Sequence, residues 1–500
     1  MDFLDPKKER LNRIALFVSY ALVAFAIGIA SVVLLYQTDG YCVDGKGAVD
    51  RCGLVFVSSQ PSGANLYVDG ELRKTRTNTK LNLQSGTYAL RVVQEGYREW
   101  NRNITVLGGD VQRYDYPFLI PITLTTSGVT TFANTIVFAT QSPDKRWIVI
   151  AEDGQSPTIH LYDVKNPDNP VASTLTLPNS IVTAGDGVQT WKAAEWSNNN
   201  RHLVLLHSYV TAGTQNQEYL LLDRQSPASS RNLTRELSLA AGDQLSLFDK
   251  KPTQYYVYNA EGKTLRTAAV GGSAPTTLQL SRVLAYKTYA DDTILYVTDT
   301  PPSGKTVAGK ASVVLQQANQ TRVLRQLPST ATTYLLDIAQ YSGDWYVVVG
   351  ADTEKGVQIY RNPLDEALPS ASAVPSPIRF LKVNSPTYVA FSASTQYVVA
   401  ENGQQLAVYD AEYGQQYSYA LTAGIDAPQP HVVWMDGNRF IYVSGGKIQV
   451  LDYDNLNAQT LQEASANWPV FFSSDYKAVF NLQHTPGATT RLARTSLIVK

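Results

Sequence analysis

Five histidines, two cysteines and a recurring aspartate are the residues of this chain whose types support catalysis or metal binding. The histidines are His160, His202, His207, His431 and His484, and none stands in a His-x-x-x-His or His-Glu-x-x-His arrangement with metal-ligand spacing. His202 and His207 flank one apolar stretch five residues apart, so in a strand they face opposite sides. Asp163, Asp223, Asp410 and Asp452 each end an aliphatic or tyrosine-containing run. Calcium ligation or acid–base work would require them to converge. Repetition at equivalent places instead fits an Asp that accepts hydrogen bonds from the backbone of the following turn. Trp147, Trp191, Trp196, Trp345, Trp434 and Trp468 sit in or beside apolar runs, where packing is the first reading and a glycan or peptide groove the second. No Gly-x-Ser-x-Gly elbow and no phosphate-cradling glycine loop occurs. No catalytic residue, metal ligand or cofactor site is assigned from these residues.

Cys42 and Cys52 are the only cysteines and lie in one short Gly- and Asp-rich stretch. With no histidine nearby they lack the partners of a metal site. A disulfide is favoured over two free thiols, and such bonds persist in oxidising, extracytoplasmic compartments. Closing a loop of about ten residues stabilises by roughly 2–3 kcal/mol in the chain-entropy model.

The element that places this pair is the run Ile14 to Tyr36, IALFVSYALVAFAIGIASVVLLY, which carries no charge. About 20 apolar residues in a helix span the hydrocarbon of a bilayer, where backbone polar groups find no water. Lys7, Lys8, Arg10 and Arg13 precede the run, against Lys46 and Arg51 beyond it, so the N-terminus is expected in the cytoplasm and the body outside. A cleaved signal peptide shares the basic start, but its apolar core is shorter and no A-x-A site precedes Tyr41. Ala24 and Gly28 form a small-xxx-small pair of the kind that lets two membrane helices approach closely.

Beyond the run the chain is long enough for more than one domain. Lys and Arg number 42 against 43 Asp and Glu, giving a net charge of −1 and no basic face for nucleic acid. Tyrosine is abundant (30) and methionine scarce (2), and Thr, Val, Tyr and Leu dominate, a strand-favouring composition. The fold class expected is all-β outside one transmembrane helix.

From Gly53 to Pro121 short alternating runs are separated by turns, including Asp69-Gly70, whose glycine tolerates the positive φ of a tight hairpin. A small antiparallel sandwich of five to seven strands is expected. Ser59-x-Pro61-x-Gly63-Ala64, Tyr67-Val68-Asp69-Gly70, Ser85-Gly86-x-Tyr88 and Glu95-Gly96-Tyr97 resemble the PEGA domain, a short β module of bacterial and archaeal envelope proteins. Where that family carries a Gly-x-Thr-Pro turn, this chain has Arg73-Lys74-Thr75-Arg76. The resemblance implies an envelope-exposed spacer or adhesion module and no catalytic residues.

From Ile122 onward a pattern of strand, polar turn, strand and strand recurs about every 40 to 55 residues, the spacing of four-stranded propeller blades. Clear copies begin at Ser142-Pro143-Asp144-Lys145, Glu195-Trp196-Ser197-Asn198, Ala390-Phe391-Ser392-Ala393, Val433-Trp434-Met435 and Phe471-Phe472-Ser473-Ser474, with weaker ones near Leu247, Tyr286 and Ile338. Eight blades are expected, or seven if one weak copy is an insertion. Thr300 to Gly309 and Pro363 to Pro377 read as surface loops. The Ser-Pro-Asp-Lys-Arg-Trp turn resembles WD40-like and Tol-B-like propellers. Closure is expected between Ser496–Val499 and Ile122–Thr126, because an open ring leaves its end blades with bare apolar faces.

The expected organisation is a cytoplasmic stub (1–13), a transmembrane helix (14–36), a linker with the cysteine pair (37–53), a PEGA-like β-sandwich (54–121) and a seven- or eight-bladed β-propeller (122–500). That is the layout of a membrane-anchored envelope protein presenting a propeller to a protein or a cell-wall glycan. The alternative is an ectoenzyme, a glycan hydrolase or lyase with its site in the propeller channel.

Overall fold

A computed structural model describes residues 6–38, 41–43, 49–153, 157–271, 278–290, 292–302, 307–318, 320–365, 373–485 and 489–499. Parts of the expected surface loops, 303–306 and 366–372, lie outside the described residues. The chain divides into two compact units, one of 1–123 with 498–500 and one of 124–497.

The first unit opens with helix α1 (Pro6–Thr38). Its window Arg13–Val32 is long and apolar enough to cross a membrane, and none of that window is buried. Strands β1 (Tyr41–Val43) and β2 (Val49–Val57) follow, joined by a disulfide between Cys42 and Cys52 with Cα atoms 5.7 Å apart. Next come β3 (Asn65–Val68), β4 (Glu71–Arg76), β5 (Thr79–Gln84), β6 (Gly86–Val93), β7 (Trp100–Val106) and β8 (Val111–Tyr114). They form two four-stranded sheets, β1-β2-β5 with β8 on β2, and β4-β3-β6-β7. Val55, Val57, Leu66, Val68, Leu90, Val92 and Trp100 alternate inward to make the core between them.

Two expectations are corrected here. The sandwich is not wholly antiparallel, because β8 runs parallel to β2, with Leu54 opposite Val111. Gly53 lets this happen: a Cβ there would lie 2.5 Å from Val106 Cγ1 and 2.7 Å from the Leu107 carbonyl. Arg73-Lys74-Thr75-Arg76 is not a turn but the exposed strand β4, and the chain reverses after it at Thr77 and Asn78. The buried Thr77 hydroxyl fixes that reversal by accepting from Ala64 N at 2.9 Å and sharing a 2.6 Å hydrogen bond with Ser59.

The second unit is a β-propeller of eight four-stranded antiparallel sheets among the described residues. Blades 1 to 7 cover 136–175, 190–232, 243–281, 283–328, 334–382, 388–420 and 433–463. Blade 8 takes three strands from 471–496 and its outermost strand from β9 (Thr125–Phe132). The closing pair is therefore Thr490–Ser496 with Thr125–Phe132, and Thr126 lies opposite Thr495. Compared with the expected Ser496–Val499 and Ile122–Thr126, the pairing sits further inside the chain at both ends. Leu492, Ala493 and Thr495 are buried and hold this position, whereas Ile498 and Val499 are exposed.

Second strands read as unbroken apolar runs because both faces of a blade are covered. In Trp147–Glu152, Val149 and Ala151 pack toward blade 2, while Ile148 and Ile150 pack toward blade 8. In blade 5, Val347 and Val349 face blade 4 and Val348 faces blade 6. Each such side chain contributes about 1.5–3 kcal/mol by burial, so adjacent blades stabilise one another across every seam. First strands of neighbouring blades contact each other, which places them around the central axis.

Candidate functional site

The turns between first and second strands lie at one end of the ring, and in four blades they are built alike. The pattern is a serine, any residue, Asp, Asn or Ser, and then a residue with left-handed backbone. In blade 1, Ser142 Oγ donates to Asp144 Oδ1 and accepts from Trp147 N, while Asp144 Oδ1 accepts from Arg146 N. In blade 2, Ser197, Asn199, Arg201 N and His202 N repeat these bonds. Blade 8 does so with Ser473, Asp475, Lys477 N and Ala478 N. In blade 6 Ser394 replaces the acid, its hydroxyl 3.1 Å from Ser392 Oγ, and Tyr397 N donates to Ser392 Oγ.

The left-handed positions are Lys145 (φ 60°), Asn200 (φ 55°), Thr395 (φ 59°) and Tyr476 (φ 55°). Glycine adopts this conformation without cost, whereas other residues lose roughly 1–2 kcal/mol. Four blades thus carry a side chain where the backbone favours none. The same conformation recurs at Ala290 and Ser342 in the corresponding turns of blades 4 and 5 and at Ala212 and Lys263 on the opposite end of the ring, so it belongs to the turns of this propeller generally.

These turns bond to one another around the ring. Asp144 N donates to Asn200 Oδ1 at 3.1 Å, Asn198 N to the Lys250 carbonyl at 2.9 Å, Thr395 Oγ1 to the Gln340 carbonyl at 2.7 Å and Ser394 Oγ to the Gly437 carbonyl at 3.1 Å. At the seam where the ring closes, Lys145 of blade 1 hydrogen-bonds Tyr476 of blade 8 and donates to the Met435 carbonyl of blade 7 at 3.1 Å. Its ammonium also lies 3.9 Å from the centre of the Tyr476 ring. Burial lowers the Lys145 ammonium to about 8; Asp436 opposes this shift and Arg439 adds to it.

On the same face a cavity of about 560 Å³ opens between blades 1 to 3, lined by Thr140, Pro143, Trp196, Asn198, Glu195 and Lys250. Glu195 ion-pairs with Lys250 and accepts from Leu247 N at 2.6 Å. The acids of this region are thus held by their own or adjacent turns, and the face presents amides, hydroxyls, an ammonium and a phenol.

The repeated aspartates are structural parts of single blades. Asp163 accepts from Lys165 N and pairs with Arg146; Asp223 accepts from Gln225 N and Ser226 N and pairs with Arg201. Asp410 accepts from Glu412 N and Tyr413 N, and Asp452 from Asn457 Nδ2 at 2.8 Å. The four lie in four different blades and do not converge. Among the described residues no three His, Cys, Asp or Glu side chains gather as a metal site.

His160 meets Glu152 at 2.7 Å, His431 stacks on Tyr388 at 3.6 Å, and His484 faces Ser465 at 3.4 Å. His202 is paired with Asp223 at 3.7 Å. His207 is fully buried, stacked on Trp191 at 4.1 Å, with Nδ1 2.9 Å from Glu218 and Nε2 2.7 Å from Gln189 Oε1. Burial pushes the Glu218 carboxyl up, but hydrogen bonds from His207, Thr183 and Asn232 outweigh it and bring it down to about 2. This network anchors the segment around Thr183 and Gln189. Sequence reading missed it because Glu218, Thr183 and Asn232 belong to no motif.

Among the tryptophans, Trp434 donates to the Ala390 carbonyl and Trp196 to Thr140, both tying neighbouring blades. Trp147 lies beneath Arg224 at 3.9 Å, and Trp345 lines a second cavity between blades 4 and 5.

Residues 52–119 match the PEGA domain family. No curated protein sequence matches the chain. Among solved structures, the β-propeller domain of Myceliophteria thermophila Cps50 (Swd1) aligns with 12% identity over 67% of this chain and 100% of its own, at TM-score 0.37. An oligogalacturonate lyase in complex with manganese aligns with 10% identity over 75% of this chain and 98% of its own, at TM-score 0.39. Hsv2p of Kluyveromyces lactis aligns with 11% identity over 67% of this chain and 99% of its own, at TM-score 0.38.

Proposed function

We propose that this is a membrane-anchored protein of the cell envelope that holds a PEGA domain and a propeller outside the membrane and binds a protein or glycan partner on the propeller's turn face. The observation that carries the reading is helix α1: its twenty-residue window Arg13–Val32 is wholly unburied, so its apolar side chains have no protein surface to cover them. Water is the wrong solvent for such a surface, and lipid the right one. Lys7, Lys8, Arg10 and Arg13 support a cytoplasmic N-terminus. The Cys42–Cys52 disulfide suits an oxidising compartment, and the PEGA match suits the envelope. The exposed residues on the hydrogen-bonded turns of blades 1, 2, 6 and 8, such as Asn198, Ala393 and Ser474, support binding on that face.

Protease added to intact cells tests the topology. Degradation of the C-terminal body, with the protein resisting alkaline extraction from membranes, is expected. A protected body, or release by alkali, would overturn the reading.

A further inference from the structure

The cavity between blades 4 and 5 measures about 300 Å³ and lies on the same turn face, formed by first-to-second and third-to-fourth strand turns of both blades. That is the lower end of small-molecule pockets, roughly 300–1,000 Å³, and suits one ring-sized unit. Its wall is half-buried Trp345, packed on the blade 4–5 core and braced by the edge of Tyr289 at 5.2 Å and 80°. The Trp345 backbone N–H donates to Asn362 Oδ1 at 2.7 Å, fixing the residue against the neighbouring loop.

Around the indole stand Asp292, Gln317, Gln320 and Asp365. The side chains of Gln317, Gln320 and Asp365 and the indole N–H have no hydrogen-bond partner among the described residues, and Asp292 accepts only from Thr293 Oγ1 at 2.9 Å. Open planar acceptors and donors thus stand beside an aromatic wall.

We propose that this cavity is a subsite for one neutral pyranose unit of a glycan. The proposal rests on the turn-face reading above and names its ligand class. A pyranose presents an apolar face of C–H bonds, which suits the indole, and a rim of hydroxyls. Carboxylates accept from adjacent hydroxyls, while amide N–H groups and the indole N–H donate to their oxygens. Charge selects against acidic sugars: Asp292 and Asp365 face the cavity, whereas Arg361 is paired with Asp344 and Arg322 donates to the Pro363 carbonyl at 2.6 Å. One ring held by a few exposed hydrogen bonds binds weakly, in the millimolar range.

The test is saturation-transfer NMR and titration on the full chain in nanodiscs, with cellobiose, N,N′-diacetylchitobiose and digalacturonate as probes. At least one neutral disaccharide should receive saturation on its C–H protons and digalacturonate should not. Trp345→Ala and Asp365→Ala should each weaken binding at least tenfold, Trp345→Tyr should retain part of it, and Gln404→Ala, at an exposed turn on the opposite end of the ring, should leave it unchanged. Melting curves confirm that each variant is folded. Absence of transfer to both neutral sugars, preference for digalacturonate, or undiminished binding in folded Trp345→Ala would overturn the proposal. Those results leave protein capture by the turn face standing, so the two readings fail separately.

Discussion

Replacing Glu401 with Gln should stabilise the propeller at neutral pH and leave it unchanged in acid. Glu401 ends the second strand of blade 6, is fully buried, and accepts from Val432 N of the approach to blade 7 at 3.1 and 3.3 Å. Burial pushes its carboxyl up to about 8 from an ordinary 4.5, against the Val432 hydrogen bond. A carboxyl whose folded pKa is raised binds its proton more tightly in the native state. Its burial is therefore tolerated below about 4.5, and stability declines as pH rises toward 8. At pH 7 the gap is 7 minus 4.5, or 2.5 units, and at 1.36 kcal/mol per unit the native state is about 3 kcal/mol less stable than in acid. Gln does not titrate and its carbonyl oxygen still accepts from Val432 N. Denaturant midpoints of the full chain, followed from pH 4 to 8, should coincide at the acid end and diverge by that amount at pH 7, with Gln the more stable. A difference that does not change with pH, or a Gln variant less stable at pH 8, would refute the reasoning.

Glu218→Gln should behave with the opposite sign, because the native carboxyl is held down to about 2; the variant should lose about 3 kcal/mol at pH 7 and match the parent near pH 2 in the same titration. Deleting 490–499 removes the partner of Thr125–Phe132 and should lower and broaden the melting of the whole ring; calorimetry showing an unchanged transition would contradict closure by this pair. Mass spectrometry of unreduced peptides from the native compartment should show Cys42 joined to Cys52, and Cys→Ser at both should leave propeller melting unaltered, whereas two alkylatable thiols would contradict the bond.

The blades were legible in sequence because their signal is local. Runs such as Trp147–Glu152 and Arg439–Ser444 are apolar at successive positions, and each is bounded by a turn that Ser, Asp and Asn punctuate. The Asp69-Gly70 hairpin was legible for the same reason, with both residues at positive φ. The parallel β2–β8 pair was not, because its partners are more than fifty residues apart and nothing local marks direction. The exact closing register escaped for a similar reason: Leu497, Ile498 and Val499 look as strand-like as Leu492–Thr495, yet the pairing with Thr125–Phe132 ends at Ser496. The site was least legible. Gln317 and Gln320 come from one blade and Trp345 and Asp365 from the next, and only the packing of blade 4 on blade 5 brings them to one cavity. Lys145 meets Met435 and Tyr476 across the closed seam, a contact no linear pattern records.

Photo-crosslinking in living cells tests turn-face binding most directly. A photoreactive amino acid at exposed Asn198, Ala393 or Ser474 reports on the turns between first and second strands. The same residue at exposed Ala212 or Gln404 reports on the opposite ends of the same blades. Binding on the turn face predicts adducts, to protein or to glycan, from the first three positions and none from the last two. Adducts confined to Ala212 and Gln404 would contradict it.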